Sequence, residues 1–143
     1  MNLSLHLSPY DQAITALMSR GKLRWGWKLE PEQKLSILFA DELRKLTVSG
    51  AYKGIWCHAP NEGKRSQIVG LILKAMGLIP GSPDYWFIWQ NGRGCNELKV
   101  RGNRQTDQQK NFQIWCEHNG ISYAVCYSVE QGLATLTEWG AIR

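Results

Sequence analysis

Pro83-Asp84, a short hydrophobic run, and then Glu97-Leu98-Lys99 place two carboxylates and one lysine on adjacent segments of this chain. Tyr85 to Trp89 is aromatic-rich and reads as a strand. Gln90-Asn91-Gly92-Arg93-Gly94 turns the chain, and Cys95 to Val100 returns as the hairpin partner. Strand side chains alternate between faces, so Glu97 and Lys99 share one face while Leu98 points to the other. Asp84 starts the preceding strand, across the hairpin. Two carboxylates converging there repel, and one pKa rises, unless a cation joins them. Magnesium or manganese suits such a set, with the backbone carbonyl of Leu98 as a further oxygen ligand. Lys99 would then orient the attacking water and stabilise charge developing on a phosphodiester. The competing reading is plain: Asp84 caps a turn, and Glu97 and Lys99 form a solvent-facing charged pair.

The elements that must position these residues follow from periodicity. Ser8-Pro9-Tyr10-Asp11 opens a short helix that ends by Gly21. A stronger helix runs from near Pro31 to about Leu46, with Leu35, Leu38, Phe39, Leu43 and Leu46 as its core-facing stripe. Gly54 to His58 is a short strand ending at the turn cluster Pro60-Asn61-Glu62-Gly63. Ser66 to Met76 is helical. Thr106-Asp107-Gln108-Gln109 opens a helix that reaches Asn119-Gly120, and Thr106 with Gln109 has capping-box spacing. Ile121 to Tyr127 is a strand, and Ser128 caps a last helix through Trp139. The order specifies an α/β domain around a small mixed sheet flanked by helices. Trp86 and Trp89 fall on opposite faces of one strand, which favours core packing for at least one of them.

Length and composition agree with a single globular domain: 143 residues, 43% hydrophobic and 20% charged. No apolar run reaches membrane-spanning length, and the first residues lack the pattern of a signal peptide. A cytoplasmic location, the host cytoplasm for a viral protein, is the default expectation. Cys57, Cys95, Cys116 and Cys126 form no C-x-x-C pair, and Cys116 with His118 matches no zinc spacing, so free thiols, mostly buried, are expected. The net charge of +5 is compatible with a polyanionic partner. Between positions 93 and 110 the chain carries Arg93, Lys99, Arg101, Arg104 and Lys110 against only Glu97 and Asp107. The turn from His58 to Ser66 follows a strand and precedes a helix, so its backbone amides and Arg65 can meet phosphate oxygens; its other reading is an ordinary polar turn.

His58-Ala-Pro-Asn61-Glu-Gly-Lys64-Arg65-Ser66, then Lys74 to Asp84, then Glu97-Leu98-Lys99, then Gln109, resembles the VRR-NUC (virus-type replication-repair nuclease) domain of the PD-(D/E)xK nuclease superfamily. The likeness spans roughly Glu32 to Trp139. It implies a restriction-endonuclease-like core over residues 28–143, with residues 1–27 as an N-terminal helical extension. It further implies cleavage of DNA with Mg²⁺ or Mn²⁺, Asp84 and Glu97 as metal-binding acids, Lys99 as the active-site lysine and Gln109 as support. A first-helix glutamate is expected at Glu32, with Glu42 as its rival; Ser36 stands where the family often has glutamine. His58, Asn61, Lys64, Arg65, Ser66, Arg101 and Arg104 are the expected DNA contacts. Stand-alone members look like homodimers acting on branched DNA such as Holliday junctions. A non-selective nuclease or nickase, and a non-cleaving DNA-binding module, are the alternatives.

Overall fold

The computed structural model describes residues 6–24, 26–60 and 65–143. Its elements are α1 (Pro9–Leu17), α2 (Pro31–Ser49), β1 (Gly54–His58), α3 (Gln67–Ala75), β2 (Tyr85–Trp89), β3 (Gly92–Leu98), α4 (Asp107–His118), β4 (Ser122–Cys126) and α5 (Val129–Glu138). The order matches the sequence expectation, and the four strands lie as β1-β2-β3-β4 in one sheet. β1 pairs with β2 and β2 with β3 antiparallel, whereas β3 pairs with β4 parallel. The parallel step is the reason for α4: a same-direction return needs a crossover, and a helix provides it.

Each face of the sheet has its own core. Tyr85, Phe87 and Leu98 meet Phe39 and Leu43 of α2, Tyr52, and Leu136 of α5. Phe39 is the hub: it packs edge-on against Tyr85 at 5.1 Å and Phe87 at 6.4 Å. The opposite face joins Cys95 to Phe112 and Cys116 of α4, with Trp86 alongside. Strand alternation therefore assigns Glu97 and Lys99, which share the parity of Cys95, to the α4 side. Both expected tryptophans are packed: Trp86 edge-on against Phe112 at 5.8 Å, and Trp89 stacked on Trp139 at 6.1 Å.

Three expectations need correction. The turn is only Gln90–Asn91, because Trp89 already pairs with Gly92. Gly92 and Gly94 are strand residues, and their smallness serves ring packing: a Cβ on Gly94 would stand 2.5 Å from the Trp139 ring, and one on Gly92 2.6 Å from the Trp89 ring. Leu38 is 58% exposed, so the stripe on α2 runs through Phe39, Ala40, Leu43 and Thr47, with Leu35 and Leu46 packed against that core as expected. The helix also continues to Ser49, where Gly50 in the left-handed conformation ends it. Among the cysteines, Cys57 is exposed and the other three are buried, with Cys95 Sγ and Cys116 Sγ 3.6 Å apart.

Candidate active site

Asp84, Glu97 and Lys99 are 8%, 2% and 8% exposed, which excludes the solvent-facing charged pair. Tyr85 pairs with Asn96, so the same register continued by one residue sets Asp84 opposite Glu97. Their side chains are oriented by separate elements. The Leu98 amide donates to Asp84 Oδ2 at 2.8 Å. Gln109 Nε2, from the first turn of α4, donates to Glu97 Oε1 at 2.8 Å. Gln109 also completes the expected capping box: its amide N–H donates to Thr106 Oγ1 at 3.2 Å, and its Oε1 accepts from the Thr106 amide at 2.9 Å. One side chain thus closes the helix start and fixes a buried carboxylate.

The Asp84 main chain is held equally firmly. Its carbonyl accepts from the Ala59 amide at 2.8 Å and lies 2.8 Å from His58 Nδ1. Before it, Gly81 has φ of 84°, and a Cβ there would stand 2.4 Å from the Gln108 carbonyl carbon. The loop carrying Asp84 therefore rests directly on the backbone of α4. Burial raises the Asp84 pKa above its ordinary value. The Leu98 amide, His58, a hydrogen bond with Glu97 and the Lys99 charge act in the opposite direction without cancelling it.

On the other side of Asp84 lies a cavity of about 700 Å³ whose walls include Glu32, Ser36, His58, Asp84 and Leu98. Ser36 is clasped to the sheet: its hydroxyl is 2.6 Å from the Tyr85 hydroxyl, which also donates to the Ser36 carbonyl at 3.1 Å. Sequence reasoning missed this clasp, although a tyrosine directly after Asp84 was its visible signal. Glu32 accepts from Asn103 Nδ2 at 3.4 Å, and Glu42 instead pairs with Lys45 at 3.1 Å. Of the two rival carboxylates, Glu32 is the one bordering the cavity.

The remaining expected residues are scattered around this centre. Arg65, Arg101 and Arg104 are exposed, and Arg65 donates to the Pro60 carbonyl at 3.4 Å. Ser66 Oγ accepts from the Val69 amide at 3.2 Å and so serves as the N-cap of α3. Asn61 and Lys64 lie outside the described residues.

The donor chemistry fits a hard divalent ion. Among the described residues no three of His, Cys, Asp and Glu converge as a metal cage, so Glu32 does not close such a cluster with Asp84 and Glu97. Two carboxylates are nevertheless a fitting set for Mg²⁺, which keeps several waters and binds few protein ligands beside phosphate.

A solved structure described as a VRR_NUC domain protein superposes on this chain with a TM-score of 0.58, covering 79% of this chain and 90% of its own, at 18% identity. The chain has the VRR_NUC domain fold. No family model matches the sequence, and no curated protein does. Within the VRR_NUC fold, the buried acids stand at the β2–β3 hairpin, Gln109 on the crossover helix, and Glu32 at the start of α2. Among the described residues, no helix is long and apolar enough to cross a membrane.

Proposed function

We propose that this chain is a metal-dependent DNA endonuclease whose site is built on Asp84, Glu97 and Lys99. The observation that carries the reading is the burial of two carboxylates and a lysine together, with a dedicated donor on each acid. Burying like charges side by side costs folding energy, and a structural domain gains nothing from it. Asp84 and Glu97 would hold Mg²⁺ or Mn²⁺, with the Leu98 carbonyl as an additional oxygen. When bound, the cation would polarise the scissile phosphate and lower the pKa of water.

The protein's own groups do the positioning. Leu98 N–H and Gln109 Nε2 fix the rotation of the two carboxylates, so ion and phosphate meet a preorganised site. Lys99 supplies positive charge beside the negative charge that builds on the phosphate. Glu32 borders the cavity next to Asp84 and would receive a proton or orient water there. His58, Arg65, Arg101 and Arg104, with Asn61, Lys64 and Ser66, would hold the DNA backbone. Lys and Arg contacts of this kind make binding salt-dependent.

The substrate reading is branched DNA, cut by a homodimer whose two-fold axis presents two sites to opposing strands. An apolar surface supports the dimer. On α3 and at its C-cap, Ile68, Leu71, Ile72 and Met76 are 71%, 60%, 52% and 77% exposed. A helix this apolar calls for a partner. Incubation with labelled linear duplex, flap and four-way junction, with and without Mn²⁺, tests the proposal. Binding without cleavage in any metal would reduce the chain to a DNA-binding module. Equal cutting of linear and branched DNA would leave a non-selective nuclease or nickase.

A further inference from the structure

The cavity beside Asp84 extends well beyond the reacting groups. Glu32, Ser36, Ala40 and Arg44 recur every four residues, so the cavity floor follows one face of α2 for about 18 Å. The segment before α2 also lines it, including Arg20, Lys22 and Trp27. That segment is fastened down: Arg20 Nε and Nη2 donate to the two oxygens of Asp41 at 2.8 and 3.2 Å, and Arg44 Nη1 reaches Asp41 Oδ1 at 2.9 Å. Two guanidiniums share one carboxylate, which leaves net positive charge along this stretch. Trp56 and Tyr85 line the sheet side, and Trp27 lines the cavity while 55% exposed.

We propose that this cavity receives an unpaired nucleotide of the DNA strand next to the cleaved phosphate, its base stacked on Trp27 and its backbone directed to Lys22, Arg20 and Arg44. The inference rests on the nuclease reading and refines its substrate. Three features select this occupant. Asp84, one of the two carboxylates that would hold the cation, and Leu98, whose carbonyl would add an oxygen, both line the cavity, so whatever fills it is continuous with the scissile strand. Aromatic rings beside cations are the chemistry of single-stranded nucleic acid, because every base offers a face to stack while phosphates are held by charge. At about 700 Å³ the cavity suits a small ligand, whereas a base still paired in a duplex cannot enter it. Arg20, Lys22 and Trp27 are thereby a specificity element for strand ends, flaps or unpaired junction positions.

Fluorescence anisotropy in metal-free buffer separates this from cleavage itself. The probes are a labelled blunt duplex and the same duplex carrying a short thymidine overhang. The wild-type chain should bind the overhang form roughly tenfold more tightly, the gain expected from one stacked base. Trp27→Ala should bring that ratio close to one with its melting temperature unchanged, and Trp27→Phe should retain most of it. Equal affinity of the wild type for both duplexes, or a full preference in Trp27→Ala, overturns the proposal. A parallel incubation with Mn²⁺ keeps the two readings apart: cutting without overhang preference rejects the nucleotide cavity alone, and overhang preference without cutting rejects the nuclease alone.

Discussion

Replacing Asp84 with asparagine should make the metal-free protein more stable and, at the same time, unable to gain from a divalent ion. Asparagine keeps the shape and retains an oxygen for the Leu98 amide, which now donates to Asp84 Oδ2. It removes one of two buried acids that repel each other once both are ionised. Cross-strand neighbours have Cβ atoms about 5 Å apart, and two unit charges at that distance repel by about 3 kcal/mol at an effective dielectric of 20. Lys99 offsets part of that repulsion, so a gain of about 1–2 kcal/mol at pH 8 is expected, or about 3–6 °C in melting temperature for a domain of this size.

The pH dependence has a definite sign. Burial raises the Asp84 pKa above 3.8, so the folded chain holds more protons than the unfolded chain between 3.8 and the raised value. This carboxylate's contribution to stability therefore falls as pH rises through that window, and the wild type carries the full penalty above it. The advantage of Asp84→Asn should shrink as pH falls toward 3.8. Mg²⁺ should reverse the ranking, because an ion at 100 times its dissociation constant stabilises the wild type by about 2.7 kcal/mol. Differential scanning fluorimetry at several pH values, with and without Mg²⁺, reads all of this. A metal-free Asp84→Asn protein that melts lower than wild type at pH 8, or that gains equally from Mg²⁺, would refute the electrostatic argument.

Glu97→Ala and Lys99→Ala should each abolish cleavage of labelled DNA while leaving affinity measured by gel shift largely intact; full activity in either removes it from the site. Gln109→Ala loses the cap and the bond to Glu97, and should lower stability by about 1–2 kcal/mol in urea titration as well as slowing cleavage in the folded fraction. Gly94→Ala forces a methyl group into the Trp139 ring. It should cost about 1–3 kcal/mol by thermal melting, whereas an unchanged melting temperature would show the ring yields easily. Asn96 is buried, and both its side-chain polar atoms lack hydrogen-bond partners among the described residues. Asn96→Leu should raise stability by about 1 kcal/mol in the same assay, and a loss would overturn that accounting.

Much of the fold was legible because alternation and helical periodicity act locally. Parity alone separated Glu97 and Lys99 from Leu98, and capping spacing located the start of α4. Leu38 misled because an apolar residue at helical spacing does not reveal how far the covering sheet extends; it lies at the margin of the stripe and meets water. Gly92 and Gly94 read as turn residues because glycine is enriched in turns, but their partner is Trp139 and Trp89, and such ring contacts leave no periodic trace. The dual role of Gln109 was visible as two separate possibilities, a cap and a support; only tertiary structure joins them. The cavity wall was illegible for a similar reason. It depends on Arg20 meeting Asp41 across 21 positions of sequence, where no local rule operates.

The bare approach of Gly81 to the backbone at Gln108 also bears on how this domain tolerates change in length. The two arms bearing Asp84 and Gln109 touch through main chain, so any side chain in place of Gly81 would have to push them apart. An insertion ahead of Asp84 would lift it from the first turn of α4 and misalign both arms together. The exposed stretch of residues 101–104 carries no such tether to that contact. Variation in loop length is therefore best accommodated between β3 and α4, where added residues enlarge the basic rim while the acid pair keeps its register.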